Sequence, residues 1–472
     1  MAYCLYAAHF GAMRQSSSSR SASGTGRSGV GYDASLGTFS GTMLVVGGII
    51  GAGIFLSPAE VARRVGSASL TLGAWAMGAV IAIIGGFIYA ELGARRPKAG
   101  GTYVYLRDAW GPLPAFMYGW GLFLIIATGA LAAVAMTGAN YISALLGLDA
   151  STARPIAAAI IVLLTLLNVA GVRVGATTGN ILTILKLAAI GALVVAALVL
   201  APSYPLPELA AASPPARPAG FFALAYAMST ALVPVLFSYG GWQQTNAVAE
   251  ELVDPERTLP KALIFGVVIV VATYMLVNLA YLRALGVEGL AASRAPAADS
   301  MYVYLGSTGR VLITAGIVAS TVGFLTMVIL MSARVYQAMA ADGLFFGEFA
   351  KLHPRTRTPV GALVAQGIVT LILLLSNSYG ALLDYVVFAD WIFFGSTAAS
   401  LFVLRRIDAR NGRKPSVLTP LHPYSTLLFI AASVYVVLGS ITSNPGNALR
   451  GAGLFVLGLP VYAYWRSRSS AV

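Results

Sequence analysis

Charged residues are scarce in this chain of 472 residues, at 10%, whereas hydrophobic residues make up 58% of it. The mean hydropathy is correspondingly high, at +0.80. A soluble protein of this length does not need so much apolar surface for its core, so the composition indicates a helical protein that crosses a membrane many times. The apolar runs are long and do not alternate with polar residues, which excludes a β-barrel.

Cysteine and histidine are also rare, with one cysteine, Cys4, and three histidines. A single cysteine cannot form a disulfide within the chain, and no later loop offers one that could tether a partner subunit. No group of His, Cys, Asp and Glu has the spacing of metal ligands, and no nucleophile–base pair or phosphate-binding loop is evident. We therefore expect no metal, no cofactor, no covalently attached partner subunit and no enzymatic activity.

Twelve apolar segments follow a polar tail, residues 1–36, whose Ser, Gly and Arg content predicts disorder. Each segment is close to the roughly 20 residues that a helix needs to cross a bilayer. The predicted spans are 38–64, 70–93, 113–147, 155–170, 178–201, 221–249, 260–285, 308–338, 359–376, 380–404, 424–442 and 447–465.

The basic residues predict the orientation of these spans. If the N-terminus is cytoplasmic, 21 of the 30 Lys and Arg residues fall on the inner side and 8 on the outer side, and Lys186 falls inside a span. This asymmetry follows the positive-inside rule, so both termini are expected in the cytoplasm, with the chain in the cell (inner) membrane. The net charge of +13 is thus explained by topology, and nucleic-acid binding has no support because no basic stripe lies on a soluble domain.

Two glycine doublets interrupt spans that should be regular helices. One lies in "VVGGIIGAGIF" (45–55) and the other in "FSYGGWQ" (237–243). Breaks at corresponding places in two groups of five spans predict an inverted repeat with a binding site between the halves. Unpaired backbone at membrane depth is tolerated where it lines a cavity.

The breaks have a plausible chemical use. Unwinding over 48–53 leaves N–H groups at the positive end of a half-helix, which suit a carboxylate, and freed carbonyls suit an ammonium group. A zwitterionic amino acid presents both charges on one carbon. The alternative is that the glycines only allow neighbouring helices to pack closely.

Four motifs then resemble a known family. "GGIIGAGIF", "YAELGARRPKAGGTYVYLRDAWGP", "FSYGGWQQTNAVAEELVDPERTLPKAL" and "SARVYQAMAADGLFF" are similar to the amino acid–polyamine–organocation transporters, and most of all to the L-type amino acid transporter branch. The resemblance implies an all-α membrane protein of twelve helices with the leucine-transporter-like fold. Its parts would be a tail (1–36), two five-helix repeats (37–205 and 206–406), and two additional helices with a short C-terminal tail (407–472).

The resemblance also implies roles for single residues. The carbonyls of Ile49, Phe237 and Gly240 would accept from the substrate amine. The N–H groups of Gly51, Ala52 and Gly53 would donate to the carboxylate. The ring of Phe237 would cover the bound substrate on the outer side. The family often has Ser where this chain has Ala52, so one hydroxyl contact is missing. The expected substrate-binding residues are Ile49, Gly51, Ala52, Gly53, Ile54, Phe237, Ser238, Gly240 and Gln243.

Lys186 is the one basic residue deep inside a predicted span, since the others that fall within spans lie near a span end. A lysine at mid-helix is costly and must extend to the membrane surface, find partners or lose its proton. Relatives of this branch carry a lysine here, which implies that its ammonium replaces a sodium ion and joins span one to span eight near Ser320 and Thr321. That makes sodium coupling unexpected and leaves exchange and proton coupling open.

Two acidic residues in or near spans have open interpretations. Glu91 ends span two, four residues before Arg95, and forms either an interfacial cap with an ion pair or part of a cytoplasmic gate. Asp390 lies deep in span ten and either bonds to a neighbouring helix or belongs to an outer gate.

The sequence predicts a secondary transporter that moves amino acids by alternating access, with the bilayer as its other partner. Neutral substrates are expected because no acid or base is evident beside the breaks. The alternatives are a polyamine or organocation transporter of the same fold, a channel, and a membrane-embedded enzyme.

Overall fold

The computed structural model describes residues 34–210, 213, 215–376 and 379–469, so the predicted tail lies almost wholly outside the described part. Within that part the chain is helical and has no strand, and Leu36 and Leu252 form an isolated parallel bridge. The helices are α1 (Thr38–Ile49), α2 (Gly53–Val65), α3 (Ala68–Arg95), α4 (Thr102–Trp110), α5 (Pro112–Leu145), α6 (Ala153–Ala170), α7 (Val172–Val199), α8 (Pro207–Ala210), α9 (Phe221–Tyr239), α10 (Pro255–Ala292), α11 (Pro296–Ala341), α12 (Val360–Ser376), α13 (Tyr379–Arg410), α14 (Tyr424–Ser443), α15 (Pro445–Val456) and α16 (Gly458–Ser469). Short 3₁₀ helices cover Ala150–Thr152, Trp242–Glu251 and Gly347–Ala350, and a π-helical turn, Leu122–Ile126, lies within α5.

Nine helices of the described residues are long and apolar enough to cross a bilayer, and the bent pair α1–α2 would make a tenth. Helix α12 is also apolar but shorter, with 17 residues. These helices make the chain a multi-pass helical membrane protein. The predicted final span, 447–465, is instead divided into α15 and α16, and Pro460, which has no N–H to donate, falls in the first turn of α16.

Helices α10 and α11 extend beyond the spans predicted as 260–285 and 308–338. Each contains one glycine with a left-handed backbone, Gly286 (φ 67°) and Gly306 (φ 60°), at which the helix changes direction. Glycine adopts positive φ without steric cost, so a short helical segment continues on the far side of each bend.

The two long helices α10 and α11 hold the broken spans in place. Helix α10 packs against α1, α2 and α3, and α11 packs against α5 and α7, while α9 packs against α2. The described part of the chain forms one compact unit. Helices from both halves of the chain therefore surround the glycine breaks.

Candidate functional site

The first predicted break is present. Helix α1 ends at Ile49, residue Ile50 leaves the helical conformation (φ −76°, ψ 86°), and α2 begins at Gly53 after a bend of 41°. The first N–H groups of α2 have no carbonyl one turn earlier within their helix and lie at its positive dipole end. They are therefore available to an anion.

The second predicted break is also present. Helix α9 ends at Tyr239, Gly240 is extended (φ −64°, ψ 160°) and Gly241 has φ 116°. The chain then continues as a 3₁₀ helix, Trp242–Glu251, where the sequence predicted the second half of a membrane span. The side-chain amide of Asn246 anchors this segment by donating to the Tyr89 carbonyl at 3.0 Å.

The two breaks lie against each other. A Cβ on Gly241 would be 2.2 Å from the Gly48 carbonyl oxygen, and a Cβ on Gly53 would be 2.5 Å from Ser238 Oγ. Contacts this short leave no room for any side chain, so close packing of the backbones is one purpose of the glycines. The other interpretation, a binding site, is compatible with it because the same segments also line a cavity.

Tyr274 of α10 joins the two breaks. Its hydroxyl lies 3.3 Å from the Ile49 carbonyl oxygen and 3.1 Å from the Ser238 carbonyl oxygen, and its ring is fully buried. Trp75 and Tyr239 pack against it, with centroids 5.6 Å and 5.1 Å away. A tyrosine within a long apolar helix gave no sequence signal for this role.

The cavity at the breaks holds about 580 Å³ of atom-free space, part of it open to solvent. Most residues predicted to bind substrate lie on its wall, and so does Asp390. The predicted lining residues are Ile49, Gly51, Ala52, Gly53, Phe237, Gly240, Gln243 and Asp390; those that sequence reasoning missed are Ile126, Ala127, Ala130, Val134, Leu236, Gly241, Gln244, Phe324, Val386, Val387 and Trp391.

Two predicted substrate-binding residues lie off this wall. The Ile54 carbonyl accepts from the Tyr281 hydroxyl at 3.3 Å. Ser238 Oγ donates to the Pro234 carbonyl of its own helix at 2.8 Å. On the wall itself, the Ile49 carbonyl also accepts from the Gly51 N–H at 2.9 Å, so two protein donors already lie near the oxygen assigned to the substrate amine.

Lys186 is wholly buried beside the first break. Its ammonium donates to the Ile50 carbonyl at 2.6 Å and to the Gly47 carbonyl at 3.2 Å. Ser320 Oγ of α11 donates to the same Ile50 oxygen at 3.2 Å, whereas Thr321 Oγ1 donates to Ile317 of its own helix. The lysine does not extend to a membrane surface; it ties α7 to the unwound segment, which Ser320 ties to α11.

Three amide or carboxyl side chains lie on the part of the cavity wall that the described residues form. Gln243 Oε1 accepts from the Gly241 N–H at 3.0 Å and so stabilises the second break. Gln244 Oε1 and Asp390 Oδ1 are buried and have no hydrogen-bond partner among the described residues. The premise that no acid lies near the breaks is therefore wrong, because α13 brings Asp390 to the same cavity from about 150 residues away along the chain.

A buried charge network joins the C-terminal ends of α3 and α13. Glu91, with no exposed surface, accepts from Arg95 and from Arg405, each at 2.6 Å for the shortest contact. Asp408 accepts from Arg95 at 2.7 Å and from Arg96 at 2.9 Å. The predicted Glu91–Arg95 ion pair is present, but it is buried and belongs to a larger network, because α13 supplies further charges.

The network continues onto α4 and α11. Arg96 contacts Asp108 at 3.2 Å, and Arg107 pairs with Asp342, which directly follows α11. The Tyr103 hydroxyl donates to Asp342 at 2.7 Å, and burial together with this carboxylate raises the pKa of the Tyr103 phenol. Four helices are thus linked by charge at one end of the molecule.

The sequence was compared with known proteins. It matches the amino acid permease family over residues 36–457. It is 32% identical to the large neutral amino acids transporter small subunit 2 of Homo sapiens over 461 residues, covering 94% of this chain and 83% of that protein. It is 30% identical to the human b(0,+)-type amino acid transporter 1 (89% and 85% covered) and 29% identical to the serine/threonine exchanger SteT of Bacillus subtilis (92% and 98% covered). These relatives are transporters and exchangers by name, not enzymes. With two helix breaks facing one cavity and a family match over most of its length, the chain belongs to the amino acid permease family.

Proposed function

We propose that the protein is a secondary amino acid transporter that works by alternating access. The observation that carries the proposal is the meeting of two interrupted helices at one cavity. The N–H groups at the start of α2 and the carbonyls at the end of α9 both lie at this cavity. This pairing offers donors to a carboxylate and acceptors to an ammonium group within one small space.

In this proposal the backbone binds the α-carbon groups of the substrate. The N–H groups of Ala52 and Gly53, and that of Gly51 once it releases the Ile49 carbonyl, bind the carboxylate, and the carbonyls of Phe237 and Gly240 bind the amine. The half-buried ring of Phe237 on the cavity wall closes over the substrate. Charge-assisted hydrogen bonds of this kind contribute roughly 1.5–3 kcal/mol each.

We further propose that transport does not depend on sodium and proceeds by exchange. The ammonium of Lys186 lies on the carbonyls of Gly47 and Ile50, the kind of oxygen ligands that a sodium ion would need. Exchange is supported by the likeness to a serine/threonine exchanger. Proton coupling is the second candidate, since a buried lysine can exchange its proton.

The proposed topology has twelve spans, made of five-plus-five inverted repeats and two C-terminal helices, with both termini in the cytoplasm. The bias of basic residues supports this orientation. The charge network of Glu91 would then lie at the cytoplasmic end of the transporter and stabilise the state in which that end is closed. Neutral substrates are supported by the likeness to a transporter of large neutral amino acids.

Counter-exchange in liposomes tests the proposal. Purified protein should take up a labelled amino acid into vesicles loaded with unlabelled amino acid, saturably and equally in sodium and potassium buffers. Vesicles without protein are the control. A flux that does not saturate would show a channel, and preferential competition by polyamines would show an organocation transporter. No amino acid exchange by folded protein would reject the proposal.

A further inference from the structure

Asp390 is the only ionisable residue on the cavity wall formed by the described residues. None of the ion pairs found within 4.0 Å in the described part of the chain includes it. Its Oδ1 is buried and accepts no hydrogen bond there. A carboxyl oxygen in such a place is costly unless a donor reaches it.

Gln244 adds a second acceptor without a partner to the same wall. Its Oε1 is buried and unpaired among the described residues, whereas Gln243, one residue earlier, has its Oε1 held by the Gly241 N–H. Much of the remaining side-chain surface is aliphatic, including Ala130 and Val134. Two unpaired acceptor oxygens on this wall therefore lie beside a largely apolar surface.

These two oxygens set a requirement for the occupant. The inference rests on the proposed function, in which the helix breaks bind the α-carboxylate and α-amine. The part of the substrate left to donate to these two oxygens is its side chain. An aliphatic side chain would leave both oxygens buried and unpaired, whereas a hydroxyl or amide supplies an O–H or N–H to a carboxylate and, where Asp390 is protonated, also an oxygen that accepts its proton.

We propose that Asp390, together with Gln244, is a specificity determinant that selects amino acids whose side chains donate a hydrogen bond. Threonine and valine are the decisive pair, because they have nearly the same shape and differ in one hydroxyl. Asparagine and leucine form a second pair of similar size. A site built to bond a substrate hydroxyl discriminates strongly against the analogue that lacks it, so we expect at least about a tenfold preference for threonine over valine.

The experiment is competition for exchange in liposomes, with each unlabelled amino acid tested against one labelled substrate. Wild-type protein should prefer threonine over valine and asparagine over leucine. Asp390→Leu should bring the threonine/valine ratio close to one, and Asp390→Asn, which keeps an acceptor oxygen, should give an intermediate ratio. Asp149→Asn makes the same chemical change on an exposed loop and should leave the ratio unchanged.

Two results would overturn the assignment. One is equal competition by threonine and valine in the wild type, which needs no variant and so holds even if Asp390→Leu fails to fold. The other is an equal fall for both amino acids in a folded Asp390→Leu protein, which would place Asp390 at the α-amine instead. A folded wild type that exchanges no amino acid at all rejects the proposed function itself, a different outcome from exchange without selectivity.

Discussion

The contact between Lys186 and the unwound segment predicts the effect of removing the ammonium. Lys186→Met keeps a long side chain but loses both hydrogen bonds, to the carbonyls of Gly47 and Ile50. Only Ser320 then remains on the Ile50 oxygen. We expect the protein to insert and fold normally but to transport at least about tenfold more slowly.

The expected change in the free energy of unfolding follows from two opposing contributions. Two charge-assisted hydrogen bonds stabilise the fold by roughly 3–6 kcal/mol together. Keeping an ammonium fully buried costs several kcal/mol in return. The free energy of unfolding should therefore change by less than about 2 kcal/mol. The unwound segment, however, loses its tie to α7, and a shift of about 1.4 kcal/mol between transport states is already tenfold in population.

The assay is exchange in liposomes in sodium and in sodium-free buffer, with accessibility of a cysteine introduced in the cavity as a conformational readout. Thermal unfolding in detergent measures stability. Lys261→Met, on an exposed position at the start of α10, is the matched control and should behave as wild type. Full activity with unchanged accessibility in Lys186→Met would refute the reasoning, and sodium-dependent exchange by the wild type would refute the replacement of the ion.

Three further predictions concern the breaks and the charge network. Gly241→Ala should abolish transport, since its φ is 116° and a Cβ would lie 2.2 Å from a carbonyl oxygen of the other break. The control Gly147→Ala, at φ 64° with open space around it, should keep uptake in liposomes. Equal loss of uptake in both variants would show that backbone strain alone, and not the contact between the breaks, causes the loss. Phe237→Ala should slow exchange more than it weakens binding by calorimetry, because a lid acts on the transport step; equal losses would make it an ordinary pocket residue. Glu91→Gln should lower the free energy of unfolding by about 3–5 kcal/mol, since it takes from Arg405 its carboxylate partner and from the buried Arg95 one of its two. Glu348→Gln, in an exposed pair, should change it by less than about 1 kcal/mol, and similar effects of the two in thermal unfolding would contradict a structural role for the network.

Much of the fold could be predicted because its signals are local. Hydropathy indicated most of the long helices, and two glycine doublets indicated both breaks, since each depends only on neighbouring residues. The predicted helix ends that were wrong also have local causes. Gly286 and Gly306 bend their helices instead of ending them, and the last predicted span is divided into two short helices.

The candidate site could be predicted only where backbone forms it. Of the residues expected to bind substrate, those at the breaks line the cavity, whereas Ile54 and Ser238 are engaged by other protein groups. Their neighbours along the chain do not reveal this, because which side of a broken helix faces the cavity depends on how α9 and α10 pack against it.

The sequence by itself therefore determined the class of the protein, the approximate helices and the position of the two breaks. Only the tertiary structure decided that Tyr274 joins the breaks, that Asp390 and Gln244 meet at one cavity, and that Glu91 pairs with Arg405, 314 residues away along the chain. The physical reason is that hydropathy and backbone freedom are properties of short segments. Pairing between distant polar groups depends instead on how whole helices pack, and no pattern in a short segment of sequence predicts that packing.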